Sequence, residues 1–179
     1  FTATSATWTM FGSVNFTVSG SPTFTHNSGT LLLSGPEPSA QAVAPGALVF
    51  NNVTLGGDAC SVTLTGTMKV DGALTLSDVD NDTSPGVINS GTIEVKGNLE
   101  TTAYGKGGSA SIKLVGAGNQ TVTGVALGKI PNLEIASTGG TVTLVGTLLL
   151  RNNYVYTSGT IDPATSTLDF QQNGGTQTI

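Results

Sequence analysis

Short runs in which threonine or serine alternates with an aliphatic residue recur along the whole chain, and glycine separates many of them. Ser-Gly-Thr followed by an aliphatic residue stands at Ser28–Leu31, Ser90–Ile93 and Ser158–Ile161. Shorter Gly-Thr-aliphatic copies stand at Gly66–Met68, Gly140–Val142 and Gly146–Leu148. Alternation with a period of two puts one set of side chains on each face of a strand. Glycine lets the chain turn where a side chain would clash. The expected fold class is therefore all-β. Strand signals cover Phe1–Thr9, Val14–Val18, Thr30–Leu33, Val49–Leu55, Val62–Val70, Ala73–Leu76 and Gly91–Lys96. They continue at Ser111–Val115, Gln120–Thr123, Asn132–Ile135, Thr141–Leu150, Tyr154–Tyr156 and Thr167–Phe170. The best helix candidate, Pro36–Ala47, carries Pro36, Pro38 and Pro45 and is expected to be a loop.

A longer echo sets the architecture. Val62–Val70 (VTLTGTMKV) matches Val142–Leu150 (VTLVGTLLL) at an offset of 80 residues. The same offset pairs Val53-Thr54-Leu55 with Leu133-Glu134-Ile135 and Phe50 with Ile130, so residues 50–76 and 130–156 form an approximate repeat. Asn119-Gln120-Thr121-Val122 is echoed by Thr176-Gln177-Thr178-Ile179. One such unit cannot bury its apolar face alone, but stacked units make a continuous core. The pattern predicts a parallel β-solenoid of stacked rungs, a right-handed β-helix by the usual hand of parallel crossovers. Residues 1–179 would form one repetitive domain. At about 20–25 residues per rung, the chain makes roughly eight rungs. Leu64, Met68, Val70, Leu144, Leu148 and Leu150 are expected inside. Gly35–Gly46 and Asp78–Gly86 are expected as loops at a corner. The alternative is an antiparallel β-sandwich, for which Asp71-Gly72 and Gly139-Gly140 supply hairpin turns. The recurrence of like units favours the solenoid. Gln177-Thr178-Ile179 falls within a repeat, which points to a longer array or to an open end that meets another copy.

Composition narrows the function classes. Charged residues are only 9% of the chain and the net charge is −5, against a usual quarter of residues charged. Recurrent aliphatic and β-branched residues exclude disorder. No apolar run approaches the ~18 residues of a spanning helix, so membrane insertion by a helix is not expected. Lys69, Lys96, Lys106, Lys113, Lys129 and Arg151 are scattered singly. Nucleic-acid binding depends on clustered positive charge, so it is not expected either. A surface of Thr, Ser, Asn and Gly suits a secreted protein, extracellular or at the cell surface. Cys60 is the only cysteine and is expected as a small buried hydrophobe. No signal peptide is visible, and the chain opens at Phe1 rather than Met, as expected where a leader has been removed or the chain is cut from something longer.

Constellations that carry chemistry are sparse, and the chain is expected not to be an enzyme. His26 is the only histidine and sits in a turn-like setting. One His and one Cys do not make a zinc site of those ligands. Gly105-Lys106-Gly107-Gly108 lacks the strand–loop–helix context of a phosphate loop. A polysaccharide-active enzyme on a β-helix shaft needs paired acids; Glu94 and Glu134 lie within strands, where stacking can bring distant acids together, but Trp8 is the only tryptophan to line a cleft and the acids read as solvated surface groups. Asp78, Asp80 and Asp82 stand at i, i+2 and i+4, the opening of a calcium loop. Thr83 and Asn89, where an EF-hand has Gly and Glu, leave only a looser calcium site. Thr-x-Thr at 7–9, 23–25, 63–65, 121–123 and 141–143 raises an ice-binding reading, although threonine ladders also stabilise sheets. Sequons stand at Asn15, Asn52, Asn81 and Asn119.

Val142–Phe170, with Gly-Thr-Leu-Leu-Leu and then Ser-Gly-Thr-Ile-Asp, resembles the β-helical repeats of large secreted bacterial adhesins and autotransporter passengers, as does Val62–Leu76. The resemblance implies export, a parallel β-helix shaft and an attachment or scaffold role. No translocation domain accompanies it. The functional expectation is an extracellular structural or adhesive solenoid, assembling end to end into a fibre or forming the shaft of a larger surface protein. The alternative is a carbohydrate- or surface-binding module that reads cell-surface glycans through aromatics such as Tyr154 and Tyr156.

Overall fold

A computed structural model describes residues 2–36, 38–57, 60–77, 86–102, 104 and 107–171. Among the described residues there is no helix. The chain opens with β1 (Thr7–Phe11) and β2 (Asn15–Thr17). It continues through β3 (Thr30–Ser34), β4 (Ala40–Ala44), β5 (Val49–Phe50) and β6 (Asn52–Leu55). Next come β7 (Ser61–Leu64), β8 (Thr67–Val70), β9 (Leu74–Leu76), β10 (Val87–Asn89) and β11 (Thr92–Val95). Then follow β12 (Leu99–Thr101), β13 (Gly107–Gly108), β14 (Ser111–Leu114), β15 (Gln120–Gly124) and β16 (Lys129–Ile130). The last are β17 (Asn132–Leu150), which runs around two corners, β18 (Tyr154–Asp162) and β19 (Thr167–Phe170).

Every strand pairing among them is parallel, which rules out the sandwich. The molecule is a β-solenoid of about seven turns, one fewer than the rung length implied. The pairings resolve into three columns. One runs β5, β8, β11, β14 and the starts of β17 and β18. A second runs β1, β3, β6, β9, β12, β15, then the middle of β17 and the end of β18. The third runs β2, β4, β7, β10 and β13, and resumes with β16, the end of β17 and β19.

Inward residues of all three columns meet in one aliphatic core, in which Leu33, Leu55, Leu76, Ile93, Leu99 and Ile112 are fully buried. Leu64, Met68, Val70, Leu144, Leu148 and Leu150 lie in it as expected. The two copies of the 80-residue echo fall on different faces. Val62 lies in β7, in the third column, while Val142 lies in the second. What the copies share is a corner turned at a glycine in the left-handed region, Gly66 between β7 and β8 at φ 86° and Gly146 within β17 at φ 77°. L-residues reach that region only at a cost.

Ala40–Ala44, expected as a loop, is a strand. Pro36, Pro38 and Pro45 flank it rather than interrupt it, and it pairs on both sides, with β2 and β7. Gln41 and Val43 alternate inward, so ladder pairing and burial override the proline-rich setting. The Gln41 amide turns inward to the Met10, Gly12 and Ser34 carbonyls at 2.9–3.0 Å. Asparagines bridge successive turns. Asn52, Asn98, Asn119 and Asn132 each accept, on Oδ1, a backbone N–H from the next turn: Ala73, Thr121, Thr141 and Asn153, at 2.9–3.2 Å. These bonds satisfy corner amides that the ladders miss.

Candidate functional site

Stacking converts scattered residues into surfaces. On the first column Lys69 pairs in register with Glu94, Glu94 with Lys113, and Lys113 with Glu134. Four residues far apart in sequence thus form one axial row of alternating charge. Lys113 Nζ lies 3.0 Å from Glu134 Oε1, and Lys96 Nζ lies 2.8 Å from Asp71 Oδ1 beside the row. Opposite charges on neighbouring strands contribute a few tenths to about 1 kcal/mol each. Glu94 and Glu134, the strand acids considered as a catalytic pair, share this row with Lys113 between them. The Thr157 hydroxyl also donates to Glu134 at 3.0 Å.

The second column presents a different face. Thr7 pairs with Thr30, Thr54 with Thr75, and Thr121 with Thr143, in two outward rows of threonine and asparagine. Leu32, Glu100 and Val145 interrupt the second of these rows.

The ends differ from the sides. At the N-terminal end Trp8, Met10, Phe16, Val18 and Phe24 point toward the core yet stay half-buried. Trp8 meets Phe16 edge-on at 5.8 Å between ring centroids, and Phe24 lies 5.7 Å from Phe50. Trp8, Phe16, Val18, Phe24 and Leu48 line an apolar concavity of about 230 Å³.

The remaining sequence candidates fall as follows. Asp78, Asp80 and Asp82, the calcium candidates, lie outside the described residues. Among the described residues no group of three or more His, Cys, Asp or Glu is placed to hold a metal ion. His26 accepts the Ser28 N–H on Nδ1 at 3.1 Å, closing a tight turn. Tyr154 is buried, where it was expected as an exposed binding ring. Its place opposite Leu133 in the ladder turns it into the core. Burial pushes its hydroxyl above the ordinary tyrosine pKa, and neighbouring Tyr156 adds to the shift. Tyr156 is exposed and donates its hydroxyl to the Gly159 carbonyl at 2.6 Å. Cys60 is buried, as expected. No helix among the described residues is long and apolar enough to cross a membrane.

Sequence reasoning missed the charge row because it treated the lysines as isolated. The spacing hides it: Glu94 pairs nineteen residues on, with Lys113, while Lys69 pairs twenty-five on, with Glu94. Compared with protein-family models, curated proteins and solved structures, the chain matches none. The β-helical repeat implied by the adhesin resemblance is present in the fold. No relative stands behind an adhesin or autotransporter origin.

Proposed function

We propose that this chain is a non-catalytic, extracellular structural and adhesive solenoid, a stiff shaft segment that associates end to end with itself. The observation that carries the reading is the set of axial ladders, continued through about seven turns around one aliphatic core. Such ladders resist bending and shear because each turn is hydrogen-bonded to the next. Charged residues are only 9% of the chain, and half of those on the described strands sit in one paired row, which limits long-range repulsion between copies. Electron microscopy of the native material at several concentrations tests it. Particles longer than one copy, with an axial strand spacing near ~4.8 Å, support the reading. Single-copy particles at the highest concentration overturn self-association. Cytoplasmic retention in the producing cell overturns the location.

A second reading rests on the threonine face. Its outward rows would order interfacial water, as in ice binding. Thermal hysteresis in a purified sample tests it, and its absence removes the reading.

A further inference from the structure

The charge row on the first column has a symmetry of its own. In ladder order it reads Val49, Lys69, Glu94, Lys113, Glu134, Val155. Run backwards, every lysine is exchanged for a glutamate, every glutamate for a lysine, and valine for valine. The row is therefore its own electrostatic complement in the reversed direction. Its four charges lie between residues 69 and 134, on the side of the stack, where Lys69 is exposed and the other three are half-buried. One flank is uncharged, with Thr67, Thr92, Ser111 and Asn132 in register. On the other flank Lys96 and Asp71 are paired with each other at 2.8 Å. The three lysines and three acids of this face cancel, so the whole net charge of −5 lies elsewhere on the chain. Copies that approach through this face meet without the repulsion that the net charge imposes on other approaches.

We propose that two copies pack side by side and antiparallel through this face, about a twofold axis that runs along the strands between β11 and β14. The joint is lateral, so it goes beyond the end-to-end association proposed above and does not depend on it. The axis reverses one shaft against the other. It sets Lys69 of each copy across from Glu134 of the other, Glu94 across from Lys113, and Val49 across from Val155. Lys96 and Asp71 meet no charge across it. An isologous joint must be self-complementary. A twofold axis along the shaft fails that condition, because it opposes lysine to lysine and glutamate to glutamate. A parallel pairing slipped by one turn matches only three of the four charges and does not close. Complementary charge fixes register and orientation more than affinity. From strand spacing and rise, the face offers roughly 400 Å² per copy, against about 800 Å² in a stable interface. The dimer is therefore weak and sensitive to salt.

Sedimentation equilibrium of the 179-residue chain at low salt, over a wide concentration range, reads the association. The expected outcome is a monomer–dimer equilibrium that raised salt dissociates. Carbodiimide coupling reads the orientation, in an equimolar mixture of ¹⁵N-labelled and unlabelled chains. Within one copy Lys69 and Glu134 stand three turns apart, about 14 Å, too far for a zero-length link. A Lys69–Glu134 amide joining a labelled to an unlabelled peptide marks the antiparallel pairing. Lys69→Glu opposes two carboxylate pairs across the axis and weakens the dimer roughly tenfold, with the monomer's circular dichroism unchanged. Glu134→Lys does the same, and an equimolar mixture of the two variants re-forms a one-to-one dimer. Monomer at every concentration overturns the joint, as does a dimer without the Lys69–Glu134 link or indifferent to both substitutions. Open-ended growth that ignores both substitutions overturns the lateral joint and leaves end-to-end association standing. A linked, salt-sensitive dimer that never lengthens supports the lateral joint and overturns end-to-end association.

Discussion

The N-terminal turn and the middle of the stack are made from the same alternation, yet only the middle is closed. Trp8 and Met10 occupy the ladder rows that Leu99 and Thr101 occupy further along. The early pair is half-buried and the later pair fully buried. Hydrophobicity does not explain the difference, since the early side chains are the larger ones. Position does. Leu99 has a turn on each side, whereas β1 has β3 on one side only. Charge divides the same way, with the Lys69–Glu94–Lys113–Glu134 row in the middle turns and none before residue 37. In a stack, burial belongs to a turn's place among its neighbours more than to its own sequence.

The strongest test removes side chains from equivalent rows. Leu99→Ala opens a cavity between two turns and is expected to cost about 3 kcal/mol. Met10→Ala trims a half-buried chain at the rim and is expected to cost about 1 kcal/mol. Urea unfolding midpoints of the two variants, measured at the same low protein concentration, give the contrast. Equal losses would mean that the rim is as closed as the middle.

Backbone strain gives the next contrast. Gly12 and Gly146 turn the same corner, between the second and third columns, at φ 82° and 77°. A Cβ at Gly12 meets nothing within 4 Å, while one at Gly146 collides with the Gly124 carbonyl of the turn below. Gly12→Ala should therefore carry only the left-handed penalty, about 1 kcal/mol. Gly146→Ala adds the collision and should cost roughly 2–3 kcal/mol. Thermal melts of the pair decide whether the corner or the stacking sets the cost.

These contrasts mark what could be read in the sequence. Leu64, Met68 and Val70 announced themselves as inward residues because alternation is local. The Gly-Thr-aliphatic unit marked corners for the same reason, although its copies serve all three corners of the turn. Register was not legible. Turns range from nineteen residues, between Glu94 and Lys113, to twenty-seven, between Asn15 and Ala42. With that spread no fixed offset lines up the charges, so the lysines looked isolated and Tyr154 looked available. Ala40–Ala44 was hidden by prolines that turn out to bracket a strand paired on both sides. Each miss concerns a contact between turns, which no local pattern encodes.

The charge row supplies the smallest effect and the most specific one. Lys113→Glu would set a third carboxylate directly between Glu94 and Glu134, replacing two attractive neighbours with two repulsive ones. The expected cost is about 1 kcal/mol at low salt and less at high salt, because the row is partly solvated. Reversing all four positions, with Lys69→Glu, Glu94→Lys, Lys113→Glu and Glu134→Lys, restores alternation and should recover most of the loss. Melting temperatures at two salt concentrations distinguish the cases. A quadruple variant as unstable as the single one would mean that packing of the Lys113 stem, and not the sign of its charge, holds this face. The N-terminal turn serves as the internal control: with no charges of its own, its amide exchange should not change with salt in either variant.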